Sequence, residues 1–562
     1  MTGTEDEVLA SVFEERAEFL SKTELTRWTA NTPRDHTTLA KLKGPGAKLL
    51  IGPRGCGKST LLRQAYFEAH EEARDLPIYV NYSRSLALEP LFHKTANALQ
   101  LFRQWVLTKI MLGLHDSLSQ ANLEPPNSLR RVVTDGSAFV HSLEAGQEPR
   151  PPGRFLTPSE VLGLLEAWSS DLGRRRCVLL LDDAAHAFSP DQQREFFEIF
   201  RELRSRVVSA KAAVYPGITS YSPNFHVGHE AELVEAWYRP DEEDYLQTMR
   251  NIVSRRLPQS YQQRLRGREE LVDYLALASF GLPRGFLVML SQLLGVEEDH
   301  IRTPTRANAE RAIADHAASV HNIFTSLSSK LPRYKNFVEV GTELVSAVTR
   351  AVQTFNSEKA TNQKAVTVAF PDPLGPELSR ILAMLEYAGI MRDAHTVSRG
   401  VKGVFHRYTI HYSFLLDANS LSLGRSFSVS DAVVALTQRD AHAFVRTQPK
   451  RLLGEGYESR CTLDLVPCRN CGAPRLSEEA QFCMKCGRPL SSASVYGDLL
   501  KTPIDRLPLT RKKLQGLKEH TTIRSVNDIL LDEEHRQIRS VPGVGPIWSA
   551  RIRRYAEEFV SV

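Results

Sequence analysis

Over its first 240 residues the chain alternates short apolar runs with stretches of helical spacing. "AKLLIG" (47–52) has strand length, and "STLLRQAYFEAHEEA" (59–73) follows with Leu61, Leu62, Ala65 and Tyr66 on one helical side. "LPIYVNY" (76–82), "RRRCVLLLDDAAHAF" (174–188) and "AKAAVYPGITSY" (210–221) read as further strands. The helices "EVLGLLEAWSSDL" (160–172) and "SPDQQREFFEIFRELRSR" (189–206) alternate with them. Apolar strands alternating with helices predict a multidomain α/β chain built on a parallel sheet covered on both faces. Residues 1–40 read as an N-terminal helical segment and 41–239 as the α/β core. Within the core, about 85–157 is a helical insertion that closes on the Pro/Gly-rich "EAGQEPRPPGR" (144–154). The pattern is helical over 240–365. The unit at 366–445 pairs an amphipathic helix, "LGPELSRILAMLEYAGI" (374–390), with a strand pair, "GVKGVFHRYTIHYSFL" (400–415). A cysteine-rich unit (461–490) and an all-helical piece (505–562) end the chain.

Composition adds little to this. At 562 residues, roughly three to five folded units are expected, and 42% apolar with 24% charged residues is ordinary for a soluble protein. No apolar run reaches the length of about 18 residues that a membrane span needs. The acidic start lacks the basic and then apolar halves of a signal peptide, so a cytoplasmic location is expected. Charge placement says more. From Arg446 onward there are 20 Lys/Arg and 14 Asp/Glu, an excess that alone exceeds the net +5 of the whole chain. A basic end on an otherwise neutral chain points to a polyanion at that end.

"GPRGCGKS" (52–59) fits G-x-x-x-x-G-K-[ST], with an apolar strand before it and a helix after it. Gly52, Pro53, Arg54, Gly55, Cys56, Gly57 and Thr60 would wrap the phosphates of a nucleotide, with backbone N–H groups turned inward at a helix N-terminus. Lys58 would reach the β- and γ-phosphates, and the Ser59 hydroxyl would bind Mg²⁺. "VLLLDD" then delivers Asp182 to the Mg²⁺ side, as a Walker B aspartate does. Asp183 stands where many hydrolytic relatives carry a glutamate that polarises the attacking water. Asp183 is one methylene shorter, so two outcomes are expected of it: it still serves as the catalytic general base, or ATP hydrolysis is slow.

The order of these motifs resembles AAA+ ATPases of the origin-recognition-complex-like clade, and the "DD" pair is similar to that of STAND signalling NTPases. The likeness runs over about 40–420 and implies four further features. "VYPGITSY" would be a sensor 1 strand that brings Thr219 (or Ser220) to the γ-phosphate. "SFGLPRGFLVML" (279–290) would be the sensor 2 helix that points Arg284 into the nucleotide from a helical lid. The rest of 240–365 would be that lid with its connecting helices, and 366–445 would be the clade's winged helix. In the last of these, Lys402 and Arg407, with Arg399 and His406, lie near the wing. No arginine finger can be placed: Arg201, Arg204 and Arg206 read as a solvated helix face.

In "CRNCGAPRLSEEAQFCMKCGRP", Cys468-x₂-Cys471 and Cys483-x₂-Cys486 stand eleven residues apart. Four thiolates suit tetrahedral Zn²⁺, each pair is followed by a glycine, and four protein ligands leave no open position for catalysis. The unit resembles a zinc ribbon. Cys461 falls outside the spacing.

"SVPGVGPIWSARI" (540–552) has the helix-hairpin-helix pattern, with Val541 as anchor, a hairpin holding Gly543 and Gly545, Ser549 at the helix crossing and Ile552 in the core. Its N–H groups can hold phosphates without reading bases. Together with "LPLTRKKLQGLKEHTTIRSVNDIL" (507–530) it resembles the C-terminal domain of bacterial RNA polymerase α subunits, which implies one five-helix unit. Lys512, Lys513, Arg551, Arg553 and Arg554 are its candidate DNA contacts.

These readings predict an ATP-dependent DNA-binding AAA+ ATPase that acts as a nucleotide-controlled switch or loader. ATP, Mg²⁺ and Zn²⁺ would be its cofactors, and it would grip the DNA backbone without sequence preference. A protein partner or self-association stays open. The alternative is a STAND-like signalling or scaffold NTPase, of phage defence or a mobile element, whose C-terminal modules recruit a protein. No protease, glycosidase or nuclease constellation stands out among the residues.

Overall fold

Five parallel strands organise the N-terminal half: β1 (Lys48–Ile51), β2 (Leu76–Asn81), β3 (Cys177–Asp182), β4 (Val208–Val214) and β5 (Glu232–Glu235), in the order β2-β3-β4-β1-β5. The computed structural model describes residues 12–13, 17–82, 88, 97–125, 127–144, 155–184, 190–296, 303–424, 426–438, 443–475, 480, 482–488, 490, 495–509, 511–532 and 534–560. Strands β3 and β4 are buried along their whole length, which is why β3 reads as an apolar run up to Asp182, while β4 also buries Lys211, whose ammonium donates to the Gly44 carbonyl.

Parallel strands need crossovers, and helices supply them. Helix α1 (Lys58–Glu72) follows β1. Between β2 and β3 come α2 (Ala98–Gln120), α3 (Asn127–Glu144) and α4 (Pro158–Asp171). Helix α2 lies directly on the sheet: a Cβ on Gly113 would come 2.9 Å from the Tyr79 carbonyl oxygen. Part of the segment read as an insertion is therefore a core crossover helix. Buried residues such as Trp105, Val106, Leu107, Ile110 and Leu114 go nearly all round α2, which erases the one-sided stripe that marks a surface helix. Helix α5 (Pro190–Glu202) joins β3 to β4.

Beyond β5 the chain is helical, as its pattern predicts. Helices α6 (Tyr245–Arg256), α7 (Glu269–Ala278) and α8 (Pro283–Leu294) lead to the long pair α9 (Arg306–Lys330) and α10 (Lys335–Ser357). Then come β6 (Thr367–Pro371), α11 (Pro376–Tyr387), β7 (Met391–Ser398), β8 (Val404–Ile410) and β9 (Val445–Arg446). They form a four-stranded sheet, β7-β8-β6-β9, in which β7 and β8 are an antiparallel hairpin. The last helices are α12 (Arg511–His520), α13 (Val526–Leu531), α14 (Arg536–Arg539) and α15 (Pro546–Val560), preceded by a 3₁₀ turn at Ile504–Arg506. Among the described residues no helix is long and apolar enough to cross a membrane.

Ion pairs fasten the second sheet to the first. Arg392 of β7 stacks on Trp237 and donates to the Tyr238 carbonyl (2.8 Å), the Trp237 carbonyl (3.1 Å) and the Glu235 carboxylate. Arg34 reaches the same Glu235 carboxylate at 3.1 Å. Near this joint, burial and the neighbouring Asp393 push the Glu386 carboxyl up to about 7. An unfolded Glu titrates near 4.3, so between those values the folded chain keeps a proton that the unfolded chain has lost. The associated stability is full below about pH 4 and is lost as pH rises through 7. Glu386→Gln is expected to remove that loss. Thermal melts from about pH 5 to pH 8 should show the variant gaining on the parent as pH rises.

Candidate nucleotide site and tail interface

The carboxyl ends of parallel strands leave a crevice where ligands sit. Here β1, β3 and β4 end together, and the loop 52–57 closes over them. Gly55 and Gly57 carry φ of 84° and 101°, conformations that side chains disfavour. A Cβ on Gly52 would sit 2.6 Å from Cys56 Sγ. The loop therefore closes this tightly only with glycine at these positions. Lys58, the first residue of α1, is buried and donates to the Gly52 and Pro53 carbonyls at 2.7 and 3.0 Å. Burial pushes its ammonium pKa down, and Asp183 and Asp182 oppose that.

Asp182 ends β3. Its side chain accepts from the Tyr79 hydroxyl (2.8 Å), from the Asp183 N–H (3.0 Å) and from Ser59. Burial and the neighbouring Asp183 charge push its carboxyl up to about 7. Ser59 and Asp182 are thus side by side, a hard oxygen pair of the kind Mg²⁺ takes. Asp183 sits in the left-handed region at φ 51°, which is strained for a residue with a Cβ. The Tyr215 hydroxyl donates to its Oδ1 at 3.0 Å, and the Tyr215 ring lies 3.9 Å from Lys58 Nζ.

Tyr215 is the residue that the sequence reading missed, and its only signal is its place at the end of a buried strand. Thr219 was expected at the γ-phosphate, but the structure does not bring it to this group. Its hydroxyl donates to the Tyr215 carbonyl (2.7 Å) and accepts from the Tyr215 N–H (3.2 Å). It lines a separate cavity of about 380 Å³ with Ser220, Arg333 and Arg380. The strand end turns back on itself after Tyr215, and that turn uses the threonine. At the end of α5 Arg201 pairs with Glu198 at 2.8 Å, and just after the helix Arg204 pairs with Glu230.

The motif around Arg284 has a packing logic. Gly281 has φ 80°, and a Cβ there would meet the Tyr238 carbonyl at 2.1 Å. Gly285 lies against His316, and Pro283 opens α8. Together they lay Arg284 across the loop, with its N–H 3.4 Å from the Gly55 carbonyl and its side chain over Gly55. Its guanidinium pairs with Glu558 of α15 at 2.7 Å, and Arg54 pairs with the same carboxylate oxygen at 3.1 Å. A small pocket of about 60 Å³ opens on the other side of the loop, between Gly57 and Thr60, residues 28–31, Tyr238 and Leu287. The N-terminal segment thus lines the site.

The four cysteines Cys468, Cys471, Cys483 and Cys486 bring all their sulfurs within 4.8 Å of one another, with Cys468···Cys486 and Cys471···Cys483 at 3.6 Å. Tetrahedral Zn–S bonds of about 2.3 Å put sulfurs at nearly that spacing, so the set fits zinc. Both turns share one geometry. Gly472 N–H donates to the Cys468 carbonyl and Gly487 N–H to the Cys483 carbonyl, each at 2.8 Å, with the two glycines at φ 68° and 67°. Cys461 is buried elsewhere.

In the last unit Gly543 and Gly545 are exposed between α14 and α15, while Val541, Ser549 and Ile552 are buried. Among the described residues four α-helices and the 3₁₀ turn stand where five helices were expected. The described basic candidates for DNA contact, Lys513, Arg551, Arg553 and Arg554, are half-buried and engaged within the chain. Arg551 donates to the Phe13 carbonyl (3.2 Å), and Arg554 lies over the Phe19 ring at 4.3 Å. Arg553 pairs with Glu557 at 3.1 Å, and Lys513 sits over Trp548 at 3.4 Å. In the β7–β8 hairpin Arg407 donates to the Ala394 carbonyl at 2.9 Å, where a bulge frees that oxygen. The side chains of Lys402 and Lys512 lie outside the described residues.

No family model and no curated protein sequence matches the chain. Among solved structures it is similar to Cdc6p from Pyrobaculum aerophilum, at 13% identity and TM-score 0.33, over 73% of this chain and 97% of that one. It is also similar to the Aeropyrum pernix ORC1 protein in complex with DNA (16%, 0.30, 70% and 96%). A third is the ADPNP–ADP complexes of the Aeropyrum pernix ORC2 protein (12%, 0.31, 77% and 93%). At these values the assignment of function rests on the site itself.

Proposed function

We propose that the chain is an ATP-dependent DNA-binding ATPase of the AAA+ kind, a nucleotide-controlled switch on DNA. The observation that carries this is the meeting of Lys58, Ser59, Asp182 and Asp183 around one glycine loop. Lys58 and the loop N–H groups would take the phosphates, and Ser59 with Asp182 would hold Mg²⁺. Mg²⁺ would neutralise charge on the phosphates. Asp183, oriented by the Tyr215 hydroxyl, would accept the proton of the attacking water.

The unit at 366–445 is read as a winged helix, and it touches the site twice. Tyr387 of α11 packs edge-on against Tyr215, with ring centroids 5.6 Å apart. A Cβ on Gly389 would lie 3.7 Å from Pro53. A rearrangement of the loop or of Tyr215 would therefore be felt by this unit. Ligand can drive the change only if the two arrangements differ in nucleotide affinity. The exposed hairpin at Gly543 and Gly545 is read as a phosphate clamp on duplex DNA.

Gly545 offers a clean test of the DNA half. A Cβ there meets nothing within 4 Å, so Gly545→Asp adds a carboxylate at the clamp without crowding it. The variant is expected to bind duplex DNA at least about tenfold more weakly, with a shallower dependence on salt and an unchanged melting temperature. Equal affinity across a salt series for parent and variant would remove DNA binding from the hairpin.

A further inference from the structure

Three cations gather at the mouth of the nucleotide loop. Arg54 of the loop and Arg284 at the start of α8 meet on Glu558, and Lys330, buried at the end of α9, lies near enough for the charges of Arg54 and Glu558 to act on it. Burial beside Arg54 pushes the Lys330 ammonium down to about 7, and Glu558 opposes that shift. Concentrating positive charge in so enclosed a place is costly without an anion. Here the anion is Glu558, whose single oxygen Oε1 takes Arg284 at 2.7 Å and Arg54 at 3.1 Å. All three of these ion-paired side chains are mostly shielded, with exposures of 13% for Arg54, 21% for Glu558 and 26% for Arg284. Charge-assisted bonds in such a setting are the strong ones.

The carboxylate arrives on a helix whose contacts are organised around it. Arg551, Arg554 and Glu558 are spaced three and four apart, so they form one stripe along α15. That stripe faces the ATPase: Arg551 and Arg554 engage Phe13 and Phe19 of the N-terminal segment, and Glu558 enters the cation cluster. The N-terminal segment in turn touches the site, since Glu18 accepts from Asn81 at 2.6 Å at the end of β2.

We propose that Arg54, Arg284 and Lys330 form the terminal-phosphate site of the nucleotide pocket, and that Glu558 is its intramolecular occupant. A nucleoside triphosphate and the docked tail then compete for the same three cations. The competitor is the terminal phosphate, so a diphosphate leaves the tail in place. Triphosphate binding lifts α15 off the core and frees Arg551 and Arg554, the two arginines that docking holds against the N-terminal segment. This inference rests on the reading of the loop as a nucleotide site, and it adds how nucleotide controls the tail.

The test uses the full chain, with the hydrolysis-resistant triphosphate ADPNP and with ADP, each with Mg²⁺, titrated calorimetrically. Glu558→Gln keeps the shape of the side chain and removes the charge. If the docked tail holds about nine chains in ten, the variant binds ADPNP about tenfold more tightly than the parent, while ADP affinity is unchanged. Glu557→Gln, which breaks only the pair with Arg553, leaves both affinities as in the parent. In the parent, ADPNP but not ADP raises amide hydrogen exchange over residues 546–560. Equal ADPNP affinity in parent and Glu558→Gln, with exchange over 546–560 unchanged, overturns the competition and leaves the nucleotide site standing. A folded parent and a folded Glu558→Gln that both fail to bind ADPNP and ADP overturn the nucleotide reading and the competition together.

Discussion

Lys58→Ala is expected to abolish nucleotide binding, weakening ATP affinity by at least about 100-fold in calorimetric titration. The ammonium lies buried at the start of α1, within reach of the loop carbonyls, so its charge would act on phosphates through little intervening water. Among the described residues no other cation stands in the same position. Arg54 and Arg284 lie at the loop mouth and are committed to Glu558. The fold should survive. Among the described residues the Lys58 ammonium donates to the Gly52 and Pro53 carbonyls and lies over the Tyr215 ring, and burial already disfavours its charge, so removing it relieves one cost while losing these contacts. The melting temperature should stay close to that of the parent, which separates lost binding from lost folding. ATP affinity equal to that of the parent would sink the assignment of the loop.

The second large effect is expected at the cysteines. Cys471→Ser should take bound zinc from one ion per chain to essentially none, read by metal analysis of the purified full chain. Among the described residues the four sulfurs have little apolar packing behind them: Phe482 and Met484, beside Cys483, are exposed at 59% and 89%. A small unit without a core takes its stability from the metal, and structural zinc supplies on the order of 10 kcal/mol to such peptides. Loss of one ligand should therefore loosen residues 461–490, seen as faster proteolysis there, while nucleotide binding at the glycine loop, which shares no residue with this unit, is kept. Cys461→Ser is the control, because that thiol lies outside the cluster, and zinc content should not change. Full zinc content in Cys471→Ser would show that the four sulfurs are not its ligands.

The parts of the site that were legible in the sequence share one property. The glycine loop with Lys58 and Ser59, and the two C-x-x-C turns, are contiguous stretches whose spacing alone sets geometry. Gly472 and Gly487 adopt the same positive φ because each closes the same kind of turn. Asp182 was legible for a related reason, as the polar end of a buried apolar run. Thr219 was misplaced because a strand-end turn can direct a hydroxyl into its own backbone, and nothing in "YPGITSY" distinguishes that from a ligand contact. Helix α2 was taken as inserted because burial on most sides removes periodicity from its sequence.

By itself, then, the sequence determined the local pieces: a loop shaped by Gly52, Gly55 and Gly57, a strand ending in two aspartates, four thiols in two matched turns, and a glycine hairpin between helices. These depend on φ preferences and on neighbours within a few residues, which a linear pattern records. Only the tertiary structure decided which pieces meet. It placed β4 between β1 and β3, so that Tyr215 bridges Lys58 and Asp183. It also brought Glu558 to Arg284 across 274 residues. Such pairings follow from how whole elements pack, because a carboxylate and a guanidinium attract wherever the fold brings them together, and no spacing in the chain encodes that distance.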